Sequence, residues 1–547
     1  MKVFHALAEA FVAEGTSMVF TMMGDANMHW LNAVYELGVR IVDVRHEGAG
    51  LAMADGWARV RGEPGVCSTT SGPGYAQLAT TMVVASRARS PLVAFCGDVA
   101  VSDDENAQVF DQRRFAEATE ARFVRLSSAD DAQKVVRTAF YRARLESRPI
   151  VLSAPEDIQQ EEFDEQEYVA SSSFFPQAPP APNPERLRAA AEIIRASERP
   201  VLILGRGAMQ AGAGEVARRL ADRIGALVTT TLVAKNWLND DDYHAGISGA
   251  YATRTALELL QETDCVIAVG ASLNQYTTGL GFAYPLARYI HIDSRPHVVM
   301  GGGRAAECYI QADAKLGLEA LDELLSAESV RSTGYRTREV KERLASALYD
   351  ESVVELEPGT VDPRAVCHLL DNLIPPEMGL VLGSGQQVRF GTMLLQRQRP
   401  FIVAQHHFGC IGQGLTTAIG AVLATGTPAF LMEGDVGLMM HLAEFETAVR
   451  YKVPLLVVVM NDEAVGAELH KSAAIGLDSS LAEIPTPDLG QVGVSLGGRG
   501  ALVRSIDALR EAAAAFVEDP GPMLIDVRIS REVLSIPYQR MYRDADV

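Results

Sequence analysis

The stretch GDVGLMMHLAEFETAVRYKVPLLVVVMND, residues 434–462, decides the fold of this chain. An apolar strand ending at Met432 precedes it, a turn and a helical segment come next, and a second apolar strand ends at Met460. Two strands joined through one helix run parallel in a βαβ unit. Asp435 and Asp462 each come just after one of these strands. We therefore expect both carboxylates at the carboxyl edge of one parallel sheet, where open α/β sheets bind ligands.

These two carboxylates predict a magnesium site. Mg²⁺ takes oxygen ligands in near-octahedral geometry, commonly one or two carboxylates together with phosphate oxygens. The backbone N–H groups of Val436 and Gly437 stand at the start of the helical segment, where they can bind a diphosphate. The stretch therefore predicts a site for a diphosphate that is held together with a metal ion.

The same alternation of short apolar strands and helical segments recurs in three blocks of the sequence. At roughly 100–200 residues per domain, a chain of 547 residues holds about three domains. We predict an α/β fold of three tandem doubly wound parallel-sheet domains at residues 1–165, 186–328 and 361–547. The proline-rich FFPQAPPAPNP indicates a linker at 166–185, and a charged helical stretch indicates a second linker at 329–360. The predicted strands are MVFTM, RIVDV, GVCSTT, PLVAFCG and PIVLSAP in the first block, PVLIL, DCVIAV and YIHIDS in the second, and GLVL, PFIVA, PAFLMEG, PLLVVVMN and PMLIDVRI in the third.

Charge and composition limit the classes of partner. The formal net charge of −21 leaves no basic patch for phosphate backbones, so we expect no nucleic-acid partner. The sequence has no run of about 18 apolar residues, so we expect no membrane span. The N-terminal MKVFHALAEAFVAEG is amphipathic and lacks the features of a signal peptide. Six cysteines without CxxC spacing indicate free thiols in a reducing compartment, and we expect a cytoplasmic protein.

Two further segments combine glycines with residues suited to ligand chemistry. Glu47, in RHEGAGLAMADGWARV, stands where a strand meets a helix of small residues, and taken alone it is a helix-capping carboxylate. Ile411, in HHFGCIGQGLTTAIGAVLATG, is by itself an ordinary core residue. The glycines around Ile411 indicate a close approach of the backbone to another group.

Together these segments resemble the thiamine diphosphate-dependent enzyme superfamily, in particular acetohydroxyacid synthases, 2-oxo acid decarboxylases and benzaldehyde lyase-like enzymes. The resemblance spans nearly the whole chain and implies a pyrimidine-binding, a central Rossmann-like and a diphosphate-binding domain, in that order. Residues 434–462 resemble the family's GDG-to-NN signature, with Val436 where glycine is usual and Asp462 where asparagine is usual. An aspartate is still an oxygen ligand, so Mg²⁺ remains the expected metal. The implied metal ligands are Asp435, Asp462 and the carbonyl of Ala464, and the implied diphosphate contacts are Gly434, Val436 and Gly437.

The resemblance also assigns chemistry to Glu47, Gly409 and Ile411. Glu47 is implied to hydrogen-bond N1′ of the cofactor's aminopyrimidine, which stabilises the 4′-imine that removes the C2 proton of the thiazolium. Ile411 is implied to hold the cofactor in a bent shape that brings this imine close to C2. The carbonyl of Gly409 is implied to accept a hydrogen bond from the 4′-amine.

Three further matches complete the implied site. SGPGYAQL, residues 71–78, is similar to the family's GPG loop, which places Gly72 and Pro73 at the cofactor. Gln112 matches a glutamine that points toward the reacting centre. GSGQQV resembles a turn that faces the diphosphate, through Gln386.

Two acidic residues and two histidines are less clearly assigned. Asp25 and Glu468 match positions of catalytic acids in pyruvate decarboxylase, and each is equally compatible with a surface charge. His406 and His407 are adjacent, but the paired histidines of pyruvate decarboxylase belong to its N-terminal block, so no role follows for them.

Three functions are compatible with this resemblance. The first is thiamine diphosphate- and Mg²⁺-dependent decarboxylation of a 2-oxo acid, carboligation like that of acetolactate synthase, or both, through a C2 carbanion and an enamine. The second is a 2-hydroxyacyl-CoA lyase or oxalyl-CoA decarboxylase-like C–C lyase, with CoA or its ADP moiety bound by the central domain. The third is a protein whose central domain binds FAD structurally, or a non-catalytic regulatory member. Glu47, Asp435 and Ile411 together argue against a loss of catalysis.

The resemblance also implies the assembly and the substrate class. Family members form each active site between two subunits, one providing the residue that matches Glu47 and the other the diphosphate site. We therefore expect a homodimer or homotetramer that acts on a small-molecule carbonyl substrate.

Overall fold

The computed structural model describes residues 1–103, 105–175, 178–295, 305–347 and 352–542. Within these residues it contains three six-stranded sheets with helices between their strands. All strand pairs within the three sheets are parallel. The predicted fold class, three tandem doubly wound α/β domains, is therefore confirmed.

The first sheet has the strand order β2-β1-β3-β4-β6-β5. Its aromatic core centres on Trp30 and Phe95, whose rings stack at 4.1 Å, with Phe11 packed edge-on against both. The strands are β1 Met18–Thr21, β2 Arg40–Asp43, β3 Gly65–Thr69, β4 Leu92–Asp98, β5 Arg122–Arg125 and β6 Pro149–Pro155. The helices are α1 Val3–Ala13, α2 Asp25–Glu36, α3 Glu47–Arg61, α4 Pro73–Ala76, α5 Ala79–Ala88, α6 Gln112–Ala118, α7 Ala132–Glu146 and α8 Glu156–Gln159.

The second sheet has the order β12-β11-β10-β7-β8-β9, which reverses between β7 and β10 and so creates a topological switch point. Residues 329–347 pack back onto this domain, since the buried Tyr335 donates a hydrogen bond of 2.6 Å to the carbonyl of Leu259. The strands are β7 Pro200–Leu204, β8 Leu227–Thr230, β9 His244–Ile247, β10 Cys265–Val269, β11 Arg288–Asp293 and β12 Cys308–Gln311. The helices are α9 Pro184–Arg195, α10 Arg206–Gln210, α11 Gly214–Ile224, α12 Arg254–Gln261, α13 Gln275–Thr278, α14 Ala314–Ala327 and α15 Arg338–Ala345.

The third sheet has the order β14-β13-β15-β16-β18-β17. Its two central strands, β15 and β16, are the ones that flank the stretch 434–462, and both are buried along their whole length. The strands are β13 Gly379–Leu382, β14 Ile402–Ala404, β15 Ala429–Gly434, β16 Leu455–Asn461, β17 Arg499–Val503 and β18 Met523–Arg528. The helices are α16 Pro363–Leu373, α17 Val388–Leu394, α18 Gly414–Thr425, α19 Asp435–Met440, α20 Glu444–Arg450, α21 Gly466–Ala474, α22 Leu489–Ser495, α23 Ile506–Glu518 and α24 Ile536–Tyr542.

The chain forms two compact units. One contains residues 1–175, 356–388 and 399–531, and therefore holds both the first and the third sheet. The other contains the described parts of 176–355, 389–398 and 532–547, and therefore holds the central sheet with most of α17 and the C-terminal helix α24. The first and third domains, which the central domain separates along the chain, therefore belong to the same compact unit.

Helices α3 and α18 join the first and third sheets within the first unit. A Cβ atom added to Gly56 would lie 2.1 Å from the carbonyl oxygen of Thr417, and one added to Gly420 would lie 1.9 Å from that of Met53. Because real Cβ atoms do not approach oxygen so closely, the two helix backbones touch and both positions require glycine.

Within the described residues, we find no helix with the length and apolar character needed to cross a lipid bilayer.

Candidate active site

Asp435 lies at the carboxyl end of the central strand β15, as the first residue of α19. Its side chain is fully buried, and neither carboxylate oxygen forms a hydrogen bond of good geometry with a described residue. Burial raises its pKa to about 8, and the nearby Asp462 carboxylate contributes to the rise. The N–H groups of Asp435 and Val436 lie close enough to lower the pKa, but they do not compensate for burial.

Asp462 follows the neighbouring strand β16 and is also buried. Since Gly434 pairs with Met460 in the β15–β16 ladder, both aspartates stand at the ends of adjacent parallel strands. Burial raises the pKa of Asp462 to about 7, while Gln387 and Arg531 act to lower it. The structure thus brings together the two carboxylates that were predicted as metal ligands.

The loop after Asp462 is held by two arginines. Arg531 donates from Nε to the carbonyl of Asp462 at 2.8 Å, and Arg528 forms an ion pair of 2.6 Å with Glu463. Ala464, the third predicted metal ligand, is 1% exposed and pairs with Glu483 in an isolated antiparallel bridge. These contacts fix the course of the backbone that carries the carbonyl of Ala464.

The turn between β13 and α17 contributes Gln387, which the sequence analysis did not single out. Gln387 is buried and donates from Nε2 to Oδ1 of Asp462 at 2.7 Å. Its neighbour Gln386, the residue predicted to face the diphosphate, is also buried. The sequence could not distinguish Gln386 from Gln387, because only the backbone course of the turn decides which side chain points to Asp462.

Glu433 is the second residue of this site that sequence reasoning missed. It is fully buried, and burial raises its pKa to about 7, although the N–H groups of Gly434, Ser384 and Gly414 oppose the rise. The signal in the sequence is the charged residue in the otherwise apolar strand PAFLMEG. Buried charges are rare without a structural or functional partner.

Glu47 is the first residue of α3 and is half-buried. The preceding His46 caps the helix, because its Nδ1 accepts a hydrogen bond from the N–H of Gly48 at 3.0 Å. The capping role that Glu47 could have had is therefore filled by another residue. Oε1 of Glu47 lies 3.4 Å from the point where a Cβ on Gly74 would stand, so the carboxylate is next to the 71–78 loop.

Gly72 gives the 71–78 loop a backbone conformation and a close contact that favour glycine. Gly72 has a φ of 50°, and a Cβ there would lie 2.7 Å from the carbonyl oxygen of Gln108. Pro73 follows as the first residue of α4. Ser71 donates a hydrogen bond of 2.5 Å to Oε1 of Gln108, which ties the loop to the segment before α6.

Gln112 is 2% exposed and lies near the carboxyl end of β4, next to the 71–78 loop. It donates from Nε2 to the carbonyl of Gly97 at 2.8 Å, and its own carbonyl accepts from the Tyr75 hydroxyl at 3.0 Å. Its Oε1 has no hydrogen-bond partner among the described residues. The amide is therefore oriented through its nitrogen and keeps one acceptor available.

The loop before α18 carries Gly409 and Ile411. Gly409 is exposed with a φ of 66°, and Ile411 is half-buried. The thiol of Cys410 donates to the carbonyl of Ile411 at 3.0 Å. The rings of His406 and His407 lie 4.2 Å apart at the start of this loop.

Asp25 and Glu468 are both exposed in the structure. Asp25 is the first residue of α2, and Glu468 forms an ion pair of 2.9 Å with Lys471 on α21. Exposure in a single chain is compatible with a surface charge and with a catalytic acid alike. Their catalytic roles stay predictions.

The residues at the edge of the third sheet fit a divalent cation with a diphosphate. Two adjacent buried carboxylates, one of them without a hydrogen-bond donor, are unfavourable unless a positive charge compensates them. A divalent ion supplies that charge and favours the ionised form of both carboxylates. Carboxylate and carbonyl oxygens are also the ligand types that Mg²⁺ prefers.

Comparison with known protein families gives three matches in order along the chain. Residues 1–119 match the model described as thiamine pyrophosphate enzyme, N-terminal TPP binding domain. Residues 187–321 match thiamine pyrophosphate enzyme, central domain, and residues 383–527 match thiamine pyrophosphate enzyme, C-terminal TPP binding domain. The three matches together cover well over half of the chain, and each includes at least four strands of one sheet.

Similar curated proteins match along almost the full length. A probable acetolactate synthase large subunit of Methanocaldococcus jannaschii is 27% identical over 97% of this chain and 92% of its own length. An acetolactate synthase large subunit of Parasynechococcus marenigrum is 28% identical over 96% of this chain and 87% of its own. The chloroplastic acetolactate synthase 2 of Brassica napus is 27% identical over 95% and 84%.

Proposed function

This chain belongs to the thiamine pyrophosphate enzyme family, and on that premise we propose that it decarboxylates a 2-oxo acid and joins the product to a second carbonyl compound, as an acetolactate synthase-like enzyme dependent on Mg²⁺. The observation that carries the proposal is the match to proteins named acetolactate synthase over 95–97% of the chain. The buried pair Asp435 and Asp462 supports the metal dependence.

The family assignment confirms the predicted resemblance and the enzyme class, which makes or breaks a carbon–carbon bond with thiamine diphosphate. Bound thiamine diphosphate supplies a nucleophilic carbon that adds to a substrate carbonyl and accepts the electrons of the bond that breaks. The protein's part is to bind, to orient and to move protons.

The third sheet provides the residues proposed to hold the diphosphate end. Mg²⁺ is proposed to bind Asp435, Asp462 and the carbonyl of Ala464, whose loop Arg531 fixes at 2.8 Å. The ion in turn neutralises phosphate charge at the carboxyl edge of the sheet. The residues proposed to contact the diphosphate are Gly434, Val436, Gly437 and Gln386.

The first domain provides the residues proposed to act on the heterocycle. Glu47 is proposed to share a proton with the pyrimidine nitrogen, which its position beside Gly74 and outside the helix cap supports. Gln112 is proposed to accept a hydrogen bond at the reacting centre through Oε1, since its side chain is fixed through Nε2. Gly409 and Ile411 are proposed to set the shape of the bound cofactor, and Gly72 with Pro73 to line its pyrimidine end.

We further propose that two copies of the chain assemble each active site, in a homodimer or a homotetramer. Supporting this, large apolar side chains are exposed on loops and at the end of α19, at the carboxyl edges of the first and third sheets. Such exposure is typical of a surface that another protein covers. Among these residues, with exposures from 49% to 59%, are Met23, Val101, Val109, Phe408 and Met440.

The central domain is proposed to bind the adenine nucleotide portion of FAD or CoA at its switch point between β7 and β10. The turn after β7 supports this, because Gly205 allows α10 to begin directly against Gly270. Six free cysteines, five of them buried, support a reducing and cytoplasmic setting.

The proposal is tested with purified full-length protein and a panel of 2-oxo acids, with and without thiamine diphosphate and Mg²⁺. We expect CO₂ release from a 2-oxo acid and a ligated hydroxyketone acid among the products, both lost on chelation. Cleavage of acyl-CoA thioesters without turnover of any 2-oxo acid would instead identify a CoA-dependent lyase. The absorption spectrum of the protein reports whether FAD is bound.

A further inference from the structure

Glu433 is a fully buried carboxylate at the centre of the third sheet. It is the penultimate residue of β15, two positions before the proposed metal ligand Asp435. The strand is otherwise apolar, so this position carries a charge that the sheet core does not require.

Three glycines from three different segments surround this carboxylate. A Cβ on Gly383, just after β13, would lie 2.3 Å from Oε1 of Glu433, and one on Gly437, in α19, would lie 2.8 Å from it. A Cβ on Gly414, the first residue of α18, would lie 1.9 Å from Oε2. None of these three glycines has a positive φ, so their backbone conformation would allow a side chain. Glycine is required there because the carboxylate leaves no room for a Cβ atom.

Backbone N–H groups from the same segments face the carboxylate. Gly434 donates to Oε1 at 3.2 Å. The N–H groups of Ser384 and Gly414 act on the carboxylate from the turn after β13 and from the start of α18. Only the Gly434 bond has full hydrogen-bond geometry, and Oε2 forms no such bond with a described residue.

We infer that Glu433 is a positioning residue, which holds the turns at 383–385, 412–414 and 433–437 in register for the cofactor's diphosphate and its metal ion. This inference rests on the proposed function, since these turns are the ones assigned to that end of the cofactor. Glu433 itself contacts no proposed substrate atom. It acts through the backbone groups around it, as second-layer partners of metal ligands do.

Glu433→Gln tests this role with a side chain of the same size. The amide keeps one oxygen acceptor, but its NH₂ group faces backbone N–H groups, which are also donors. This donor–donor contact should push at least one of the turns away. We expect the Kd for thiamine diphosphate, measured by calorimetry with Mg²⁺ present, to rise about 10- to 100-fold. At saturating cofactor, the C2 proton exchange should fall far less than in Glu47→Gln.

Asp322→Asn is the matched control, because Asp322 is a buried carboxylate of the other unit, ion-paired with Arg219 and Arg223. It should leave the Kd for thiamine diphosphate unchanged even where it lowers the melting temperature. Equal affinity in Glu433→Gln and wild type would overturn the inference. A wild-type protein that binds no thiamine diphosphate would instead refute the proposed function.

A double-mutant cycle keeps the test valid if Glu433→Gln folds poorly. Gly414→Ala places a methyl group against Oε2 and should weaken cofactor binding about tenfold by itself. In the Glu433→Ala background the methyl group loses this clash and keeps a contact of 3.1 Å with Cδ1 of Leu431, so it should cost less than about threefold. The same fold-change in both backgrounds would show that the carboxylate does not set the position of the α18 turn, and the inference would fail.

Discussion

Gln387 donates a hydrogen bond of 2.7 Å from Nε2 to Oδ1 of Asp462, and so connects the turn after β13 to the loop after β16. The strand between them is β15, which carries Asp435 at its end. Oε1 of Gln387 lies 3.5 Å from the point where a Cβ on Gly434 would stand, so the amide spans that strand. The Gln387 side chain therefore bonds one proposed metal ligand, Asp462, and lies beside Gly434, the residue before the other, Asp435.

Removing this amide should loosen the metal site. In Gln387→Ala, Asp462 loses the donor that orients it, and we expect the affinity for Mg²⁺ in the presence of thiamine diphosphate to fall about 10- to 100-fold. Metal titration by calorimetry measures the change. Gln159→Ala is the control, since Gln159 is a buried glutamine of the first domain that donates to the carbonyls of Ala26 and Ala154. Comparable losses in both variants would contradict a specific role for Gln387.

The metal-free protein should lose stability as the pH rises. The pKa values of Asp435 and Asp462 are raised to about 8 and about 7, whereas in the unfolded chain an aspartate titrates near about 4. The folded state thus keeps protons that the unfolded state has released, and its free energy of unfolding falls between pH of about 4 and about 8. Mg²⁺ replaces these protons, so the stabilisation by Mg²⁺ should grow over the same range.

Melting temperatures recorded against pH, with Mg²⁺ and with a chelator, check this expectation. Asp462→Asn is the informative variant, because it removes the charge that contributes to the raised pKa of Asp435. Its melting curves with and without Mg²⁺ should diverge less with pH than those of the wild type. Curves that stay parallel in the wild type would show that the two carboxylates are not the metal ligands.

Replacing Glu47 should separate proton transfer from cofactor binding. Glu47→Gln keeps the size of the side chain beside Gly74 but cannot supply the proton that the pyrimidine needs. We expect C2 hydrogen–deuterium exchange to slow by about 10²- to 10⁴-fold, with less than about threefold change in the Kd for thiamine diphosphate. Exchange is followed by acid quench and NMR. An exchange rate equal to that of the wild type would remove Glu47 from the mechanism.

The contact between α3 and α18 predicts that alanine substitution changes the stability of the protein differently at two glycines of α3. Gly56→Ala would place a Cβ 2.1 Å from the carbonyl oxygen of Thr417 and should destabilise the protein by about 1–3 kcal/mol. A Cβ on Gly50 meets its nearest atom at 3.4 Å, so Gly50→Ala should be neutral or stabilising by up to about 1 kcal/mol. Urea unfolding of both variants measures the difference. Equal midpoints would mean that the two helices do not pack at backbone contact.

Most strands that the sequence revealed are buried on both faces, whereas β2 and β14 are edge strands that their runs RIVDV and PFIVA revealed. β15 and β16 are long apolar runs because helices cover both sides of a parallel sheet. The edge strands β5, β9, β12 and β17 lack this signal, since part of each is exposed and no continuous apolar run marks them. The strands that were not predicted are β5, β9, β12 and β17, all at sheet edges, and β8, which pairs with the edge strand β9.

Sequence alone determined the fold class, the family and the placing of Asp435 and Asp462 at the ends of adjacent strands, because strand–helix–strand periodicity fixes which ends meet. Only the tertiary structure decided that Gln387, and not Gln386, contacts Asp462, and that Glu433 lies among three glycines from separate segments. Those glycines are 31 positions apart from Gly383 to Gly414 and a further 23 to Gly437. No local pattern relates residues so distant, since only the packing of the folded backbone brings them to one carboxylate.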